Sequence, residues 1–351
     1  MHIHLFGQNQ TSVRFGASTP ATSRKGPTVA IVSGFVSKDA NRRFPSKYMP
    51  HLLSKVCYAH RQGYDFFHNT TWGFPDLRPR NDTTKSRRRH LDSGTWHVVP
   101  YMEALLPNYD WVLWTDADYI FQQLNTPLDV FFSEWEDHGL RNVQIFLPHD
   151  INPNSFAFSS FAVLIRNSPF GHEVLRQWRA FAKGLCPNGN IRPSSREHWV
   201  HSDQPGLWYA LIQAHAKATG REFSITCKNG FLDVDDILKP FGFEFNQYFQ
   251  GVFNRSTPPN IFSEVPKDEP IVWSSWQGGL GANIEPLVGF WRATNMTVPP
   301  EIPDAVGLHV KVALSQQVRD NLANCSKSCF AGYRPNGTLE AQCGQQGNRV
   351  V

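Results

Sequence analysis

Residues 108–127, NYDWVLWTDADYIFQQLNTP, constrain the fold of this chain more than any other stretch. Trp111, Val112, Leu113 and Trp114 form a short apolar run, aromatic and β-branched, of the kind that makes a buried strand. Thr115, Asp116, Ala117 and Asp118 follow at once, and Tyr119, Ile120 and Phe121 return to apolar character. Two carboxylates directly behind a buried strand must face water, a ligand or a metal, because an unpaired buried carboxylate costs several kcal/mol, roughly, or neutralises itself. An Asp-x-Asp pair on a turn can hold one hard divalent cation, and that cation can hold a diphosphate. A solvated strand end is the bland alternative for such a pair taken alone. The apolar run before it and the aromatic residues after it favour a site.

The neighbouring segments supply a sheet around that strand. Residues 28–35, TVAIVSGF, predict a first central strand with a tight exit at Ser33-Gly34. Over 46–62, Tyr48, Leu52, Leu53, Val56, Cys57 and His60 fall near helical spacing, Pro50 fits only in the first turn, and Gly63 stops the helix. Residues 64–68 read as a second strand, 69–93 as a long polar, basic loop, and 99–106 as a short helix. Further strands are predicted over 143–147, ending at Pro148-His149-Asp150, over 162–165, and over 271–273. A helix opens at Ser168-Pro169 and runs to Leu185, and another starts at Ser202-Asp203-Gln204-Pro205. Strands alternating with helices argue an α/β fold with a mostly parallel central sheet, whose ligands gather at the carboxyl ends of the strands. Ser33-Gly34 and Asp116-Asp118 both fall there. The expected layout is a flexible segment over 1–26, one α/β domain over 27–305, and a C-terminal extension over 306–351 with clustered cysteines.

A length of 351 residues suits one large domain with appendages, and the formal charge of +4 is mild. The basic cluster Lys85-Ser86-Arg87-Arg88-Arg89-His90 is local and lacks interleaved aromatics, so nucleic acid is not an expected partner. No apolar run in the first 27 residues is long enough for a signal peptide or a membrane span. Yet seven Asn-x-Ser/Thr acceptors occur, at Asn9, Asn69, Asn81, Asn254, Asn295, Asn324 and Asn336. Cys325, Cys329 and Cys343 crowd a Gly/Asn-rich tail, as in disulfide-stapled extracellular modules, while Cys57, Cys186 and Cys227 are scattered. The expectation is a Golgi or other secretory-pathway lumenal protein, associated with membrane only through an anchor not seen in this sequence.

Taken in order, Thr28 to Gly34, Tyr58-Ala59-His60-Arg61-Gln62-Gly63-Tyr64, Trp96, Tyr109 to Asp118, Leu164 to Ser168 and Asp203-Gln204 resemble the galactosyl-, mannosyl- and xylosyltransferases of glycosyltransferase family 34. The likeness runs over roughly residues 27–295. It implies the GT-A fold, a nucleotide-diphosphate sugar as donor, a glycan or glycoconjugate as acceptor, and transfer with retention of anomeric configuration. It further implies Mn²⁺ or another divalent cation on Asp116 and Asp118, Asp203 and Gln204 beside the donor sugar, and Ser33-Gly34 at the nucleoside. Trp96, His97 and Ser202 complete the expected donor contacts, and Asp150 and Trp276 are the expected acceptor contacts. The chain departs from the family pattern where a cation-binding His and a diphosphate-binding Lys usually follow the last strand; Ser275 and Leu280 stand there. His97 stands near Trp96 in place of a nearby Lys, and Ser159-Ser160-Phe161 replaces the Asn-x-Gly before Arg166-Asn167.

The chemistry of such a transfer sets its own demands. The leaving nucleoside diphosphate develops charge that a bound cation stabilises without proton transfer. Retention requires a carboxylate nucleophile or a polar group behind an oxocarbenium-like centre, and Asp203 or Gln204 can serve. Asp203 equally suits a helix start. Two rival classes remain: a carbohydrate-binding descendant that lost catalysis, and a haloacid-dehalogenase-type phosphatase, which also places Asp-x-Asp after a strand. The phosphatase pattern puts its pair on the first strand, where this chain has Ser33-Gly34, and Thr or Val after it, where this chain has Tyr119.

Overall fold

The computed structural model describes residues 11–13, 26–34, 48–69, 94–121, 124–129, 132, 143–147, 160–187, 203–232, 271–273, 281–283, 320, 323–325, 329–333 and 339–343. The chain is α/β with a mostly parallel central sheet, as the strand–helix order predicts. It divides into two compact units. The first comprises Met1–Trp72, Thr115–Val130 and Gln277–Val351, and the second Gly73–Trp114 and Phe131–Trp276.

In the first unit, strand β1 (Thr11–Val13) pairs antiparallel with β3 (Asp65–Asn69), and β3 pairs parallel with β2 (Val29–Gly34). β1 lies within the segment expected to be flexible, and its pairing gives β3 a neighbour that periodicity did not reveal. Val29, Ala30, Ile31 and Val32 are all buried, which is why this continuous β-branched run is a central strand rather than a half-wet one. Helix α1 (Met49–Gln62) joins β2 to β3, with Pro50 in its first turn and Gly63 at φ 67° closing it. That left-handed position is why the stop signal is a glycine.

The second unit contains helix α2 (Val98–Leu105), reached through a 3₁₀ turn at Gly94–His97. Strand β4 (Trp111–Thr115) runs from this unit into the first, where short β5 (Tyr119–Phe121) pairs antiparallel with β11 (Gly281–Asn283). β6 (Val143–Phe146) pairs antiparallel with β7 (Ala162–Arg166) and parallel with β10 (Ile271–Trp273). Helices α3 (Pro169–Lys183) and α4 (Asp203–Ala218) pack on each other. Ser168 caps α3 by accepting from the Gly171 amide at 3.1 Å, with Pro169 at the first helical position. β8 (Cys227–Lys228) and β9 (Phe231–Leu232) form a hairpin on Asn229 and Gly230, both at positive φ, the turn that Asn-Gly favours.

All six cysteines are paired. Cys186–Cys227 closes a loop in the second unit, and Cys329–Cys343 staples the C-terminal hairpin β12 (Cys329–Tyr333) and β13 (Leu339–Cys343) in the first. Cys325 bonds Cys57 of α1, so the extension is covalently tied to the helix that joins β2 to β3. Among the described residues no helix is long and apolar enough to cross a membrane. Residues 310–322, whose spacing predicts a short amphipathic segment, fall almost wholly outside the described residues.

Candidate functional site

All five residues of β4 are buried, the next three, Asp116, Ala117 and Asp118, are half-buried, and β5 is buried again. Apolar runs on both sides therefore drive the chain inward and leave the acidic pair as the segment that reaches water. The turn is closed by the Tyr119 amide donating to the Asp116 carbonyl at 3.1 Å. Beneath it lies a residue that sequence reasoning missed. Lys55 of α1 is 1% exposed, and its Nζ donates to the Asp116 carbonyl at 2.6 Å and the Ala117 carbonyl at 2.9 Å. Burial pulls the Lys55 amine down to about 7, against the opposing pull of the Asp118 and Asp116 carboxylates. Its signal in the sequence is a lysine flanked by Leu52, Leu53, Val56 and Cys57 on a helix whose inward arc is apolar; such a lysine is buried only when paired.

The strand ends of the first unit complete this region. Ser33 lies opposite His68 in the β2–β3 register, and Gly34 opposite Asn69. Ser33 is buried and its Oγ has no hydrogen-bond partner among the described residues, as is true of Thr115 Oγ1, while Gly34 is half-buried. The residue at the β2 exit that is open to a ligand is thus Gly34 rather than the Ser33 side chain. Burial and the nearby Lys55 charge hold His68 down to about 3, so its imidazole is neutral at physiological pH.

In the second unit, Trp96 is 2% exposed and stacks on Phe181, with ring centroids 6.1 Å apart. His97 is buried against Tyr101, centroids 5.8 Å apart, and burial pulls it down to about 4. Asp203 is the first residue of α4, 6% exposed, and its carbonyl accepts from Trp178 Nε1 at 2.8 Å. Gln204 beside it is half-buried. A carboxylate in a helix's first turn is favoured by the helix dipole, so Asp203 has a structural role in place whatever else it does. The structure therefore groups Ser33, Gly34, Asp116 and Asp118 within the first unit, and Trp96, His97, Asp203 and Gln204 within the second. Asp150, Ser159, Ser202, Ser275, Trp276 and Leu280 lie outside the described residues.

The donor set of the turn fits a hard divalent cation: two carboxylates on one turn, half-open, with oxygen ligands only. No third His, Cys, Asp or Glu joins them among the described residues. Phosphate oxygens and water are the ligands that complete such a sphere.

No protein-family description matches the chain, and no curated protein does. Solved structures similar to it include a glycosyltransferase involved in the glycosylation of the major capsid of PBCV-1, at 18% identity and TM-score 0.31, over 49% of this chain and 73% of that one. GlyE of Streptococcus pneumoniae TIGR4 is similar at 13% identity and TM-score 0.30, over 79% of this chain and 66% of that one. The bifunctional glycosyltransferase WbbM is similar at 14% identity and TM-score 0.26, over 47% of this chain and 36% of that one. All three are glycosyltransferases.

Proposed function

We propose that this chain is a GT-A glycosyltransferase that moves a hexose or pentose from a nucleotide-diphosphate sugar to a glycan or glycoconjugate acceptor. The observation that carries the reading is the Asp116-Ala117-Asp118 turn, half-open at the exit of a fully buried strand and anchored from below by Lys55. Asp116 and Asp118 would hold a divalent cation of the Mn²⁺ type, which would supply positive charge to stabilise the departing nucleoside diphosphate. Gly34 at the β2 exit is the residue that would meet the nucleoside, with Ser33 buried behind it. For a retaining transfer, Asp203 or Gln204 would serve as the nucleophile or the polar group behind an oxocarbenium-like centre. Asp150 and Trp276 receive the acceptor, the indole offering an apolar face to a sugar ring. Three disulfides and seven glycosylation acceptors support a Golgi or secretory-pathway lumen as the working compartment.

The test is a thermal-shift panel of nucleotide-diphosphate sugars with and without Mn²⁺. One donor should raise the melting temperature in the presence of Mn²⁺, and a chelator should abolish that shift. A panel in which no nucleotide sugar stabilises the protein in either condition sinks the reading.

A further inference from the structure

We propose that Lys55 is the positioning residue of the Asp116–Asp118 turn: its buried side-chain amine fixes the backbone on which both carboxylates stand. The proposal rests on reading that pair as the cation and diphosphate site. Two consecutive carbonyls, those of Asp116 and Ala117, converge on one nitrogen at 2.6 and 2.9 Å, and the Asp116 carbonyl also accepts the Tyr119 amide. Carbonyls held this way set the peptide planes of the turn, and hence the directions in which residues 116 and 118 leave it.

Lys55 is itself held. It stands on α1, whose neighbouring residues grip the same stretch of chain further on: Ser54 Oγ accepts the Phe121 amide at 2.9 Å, the Tyr58 hydroxyl donates to the Thr126 carbonyl at 2.8 Å, and Gln62 Nε2 donates to the Leu124 carbonyl at 2.7 Å. Cys57 on the same helix is bonded to Cys325. A side chain 1% exposed on a helix so anchored has little freedom to follow the turn, so the turn follows it. Attraction between the amine and the Asp118 and Asp116 carboxylates adds a second restraint and offsets the mutual repulsion of the pair.

A lysine beside a cation site invites the opposite reading, that it is only a repelling charge. The two readings differ in sign. Removing a repelling charge strengthens cation binding, whereas releasing a positioned turn weakens it, and loss of a residue that orients metal ligands costs about 10- to 100-fold in metal affinity.

The experiment compares the wild-type chain with Lys55→Met, which keeps length and apolar bulk, and Lys55→Gln, which keeps a shorter donor. Hydrogen exchange of the Tyr119 amide is measured without metal, and the affinity for Mn²⁺ alone is measured by electron paramagnetic resonance. In Lys55→Met the Tyr119 amide should exchange about tenfold faster or more, and Mn²⁺ should bind at least about tenfold more weakly, with Lys55→Gln between it and wild type. Should Lys55→Met fail to fold, Lys55→Gln is read alone against wild type. A folded variant with wild-type Tyr119 exchange, or with Mn²⁺ affinity unchanged or raised, overturns the proposal. If wild-type protein binds no Mn²⁺, the cation reading fails, and the exchange measurement still decides the role of Lys55.

Discussion

Asp118 and Gly206 test the two units one residue at a time. Asp118→Asn keeps size and hydrogen-bonding capacity but removes one charged oxygen ligand from a turn that has only two carboxylates. Metal-dependent donor binding and transfer should weaken by about 3 kcal/mol while the fold is retained. Full, chelator-insensitive transfer by the double variant Asp116→Asn/Asp118→Asn would show the assignment to be wrong. Gly206 sits where α4 passes Trp96: a methyl there would lie 2.8 Å from Trp96 Cη2, 3.0 Å from Trp178 Cδ1 and 3.1 Å from Phe181 Cδ1. Ring atoms of buried tryptophans cannot swing away as a flexible chain end can, so Gly206→Ala should destabilise the protein by about 1–3 kcal/mol in urea unfolding. His97 adds a pH dependence. Its folded value of about 4 lies below the ordinary histidine value of 6.5, so as pH falls through 6.5 the unfolded chain takes up the proton first and stability is lost until about pH 4. The loss attributable to His97 is about 3 kcal/mol at most. His97→Asn should shallow the fall in urea midpoint between pH 7 and 4.5, and an unaltered slope would count against it.

Helix α1 shows how a periodic element becomes a template. Ser54, Tyr58 and Gln62 are spaced four apart and Lys55 adjoins them, so one stripe of the helix carries the side chains that meet the backbone of 116–126. Its existence was legible: the apolar spacing, Pro50 in the first turn and Gly63 at the end are local signals, and the helix runs from Met49 to Gln62 as they require. The same holds for β2, β4 and β7, each built on a continuous apolar run, for β6, which only Gln144 interrupts, and for α3, whose Ser-Pro start is its own cap. Its polar stripe was not legible, because each of those bonds joins residues more than 60 positions apart. Tyr58 separates the polar from the apolar part of this grip. Tyr58→Phe removes the bond to Thr126 and keeps the ring stacked 3.8 Å from Phe121, so it should cost about 0.5–1.5 kcal/mol in denaturant unfolding. A loss well beyond that range would mean that the hydroxyl orders more of the segment than one carbonyl.

At the scale of the whole molecule, the α/β class and the acidic pair at a strand exit follow from the order of segments along the chain, since that order dictates which strand ends share one side of a parallel sheet. The covalent frame does not follow from it. Three cysteines close together in the tail suggest bonds among themselves, and one such bond exists, Cys329–Cys343. The third tail cysteine instead reaches Cys57 across a sequence separation of 268, a pairing that spacing cannot indicate because six cysteines admit 15 connectivities. This bond has the largest loop to close of the three, so in the chain-entropy account it restricts the unfolded chain most. The double variant Cys57→Ser/Cys325→Ser should therefore lose about 2–4 kcal/mol in denaturant unfolding, with the other two disulfides intact. The loss should also be local in kind. α1 carries both Cys57 and Lys55, so releasing the tail should speed exchange at α1 amides and at Tyr119 together, and weaken Mn²⁺ binding with them. If the double variant loses stability while Tyr119 exchange and Mn²⁺ affinity stay at wild-type values, the C-terminal hairpin stabilises the chain without any hold on the acidic turn.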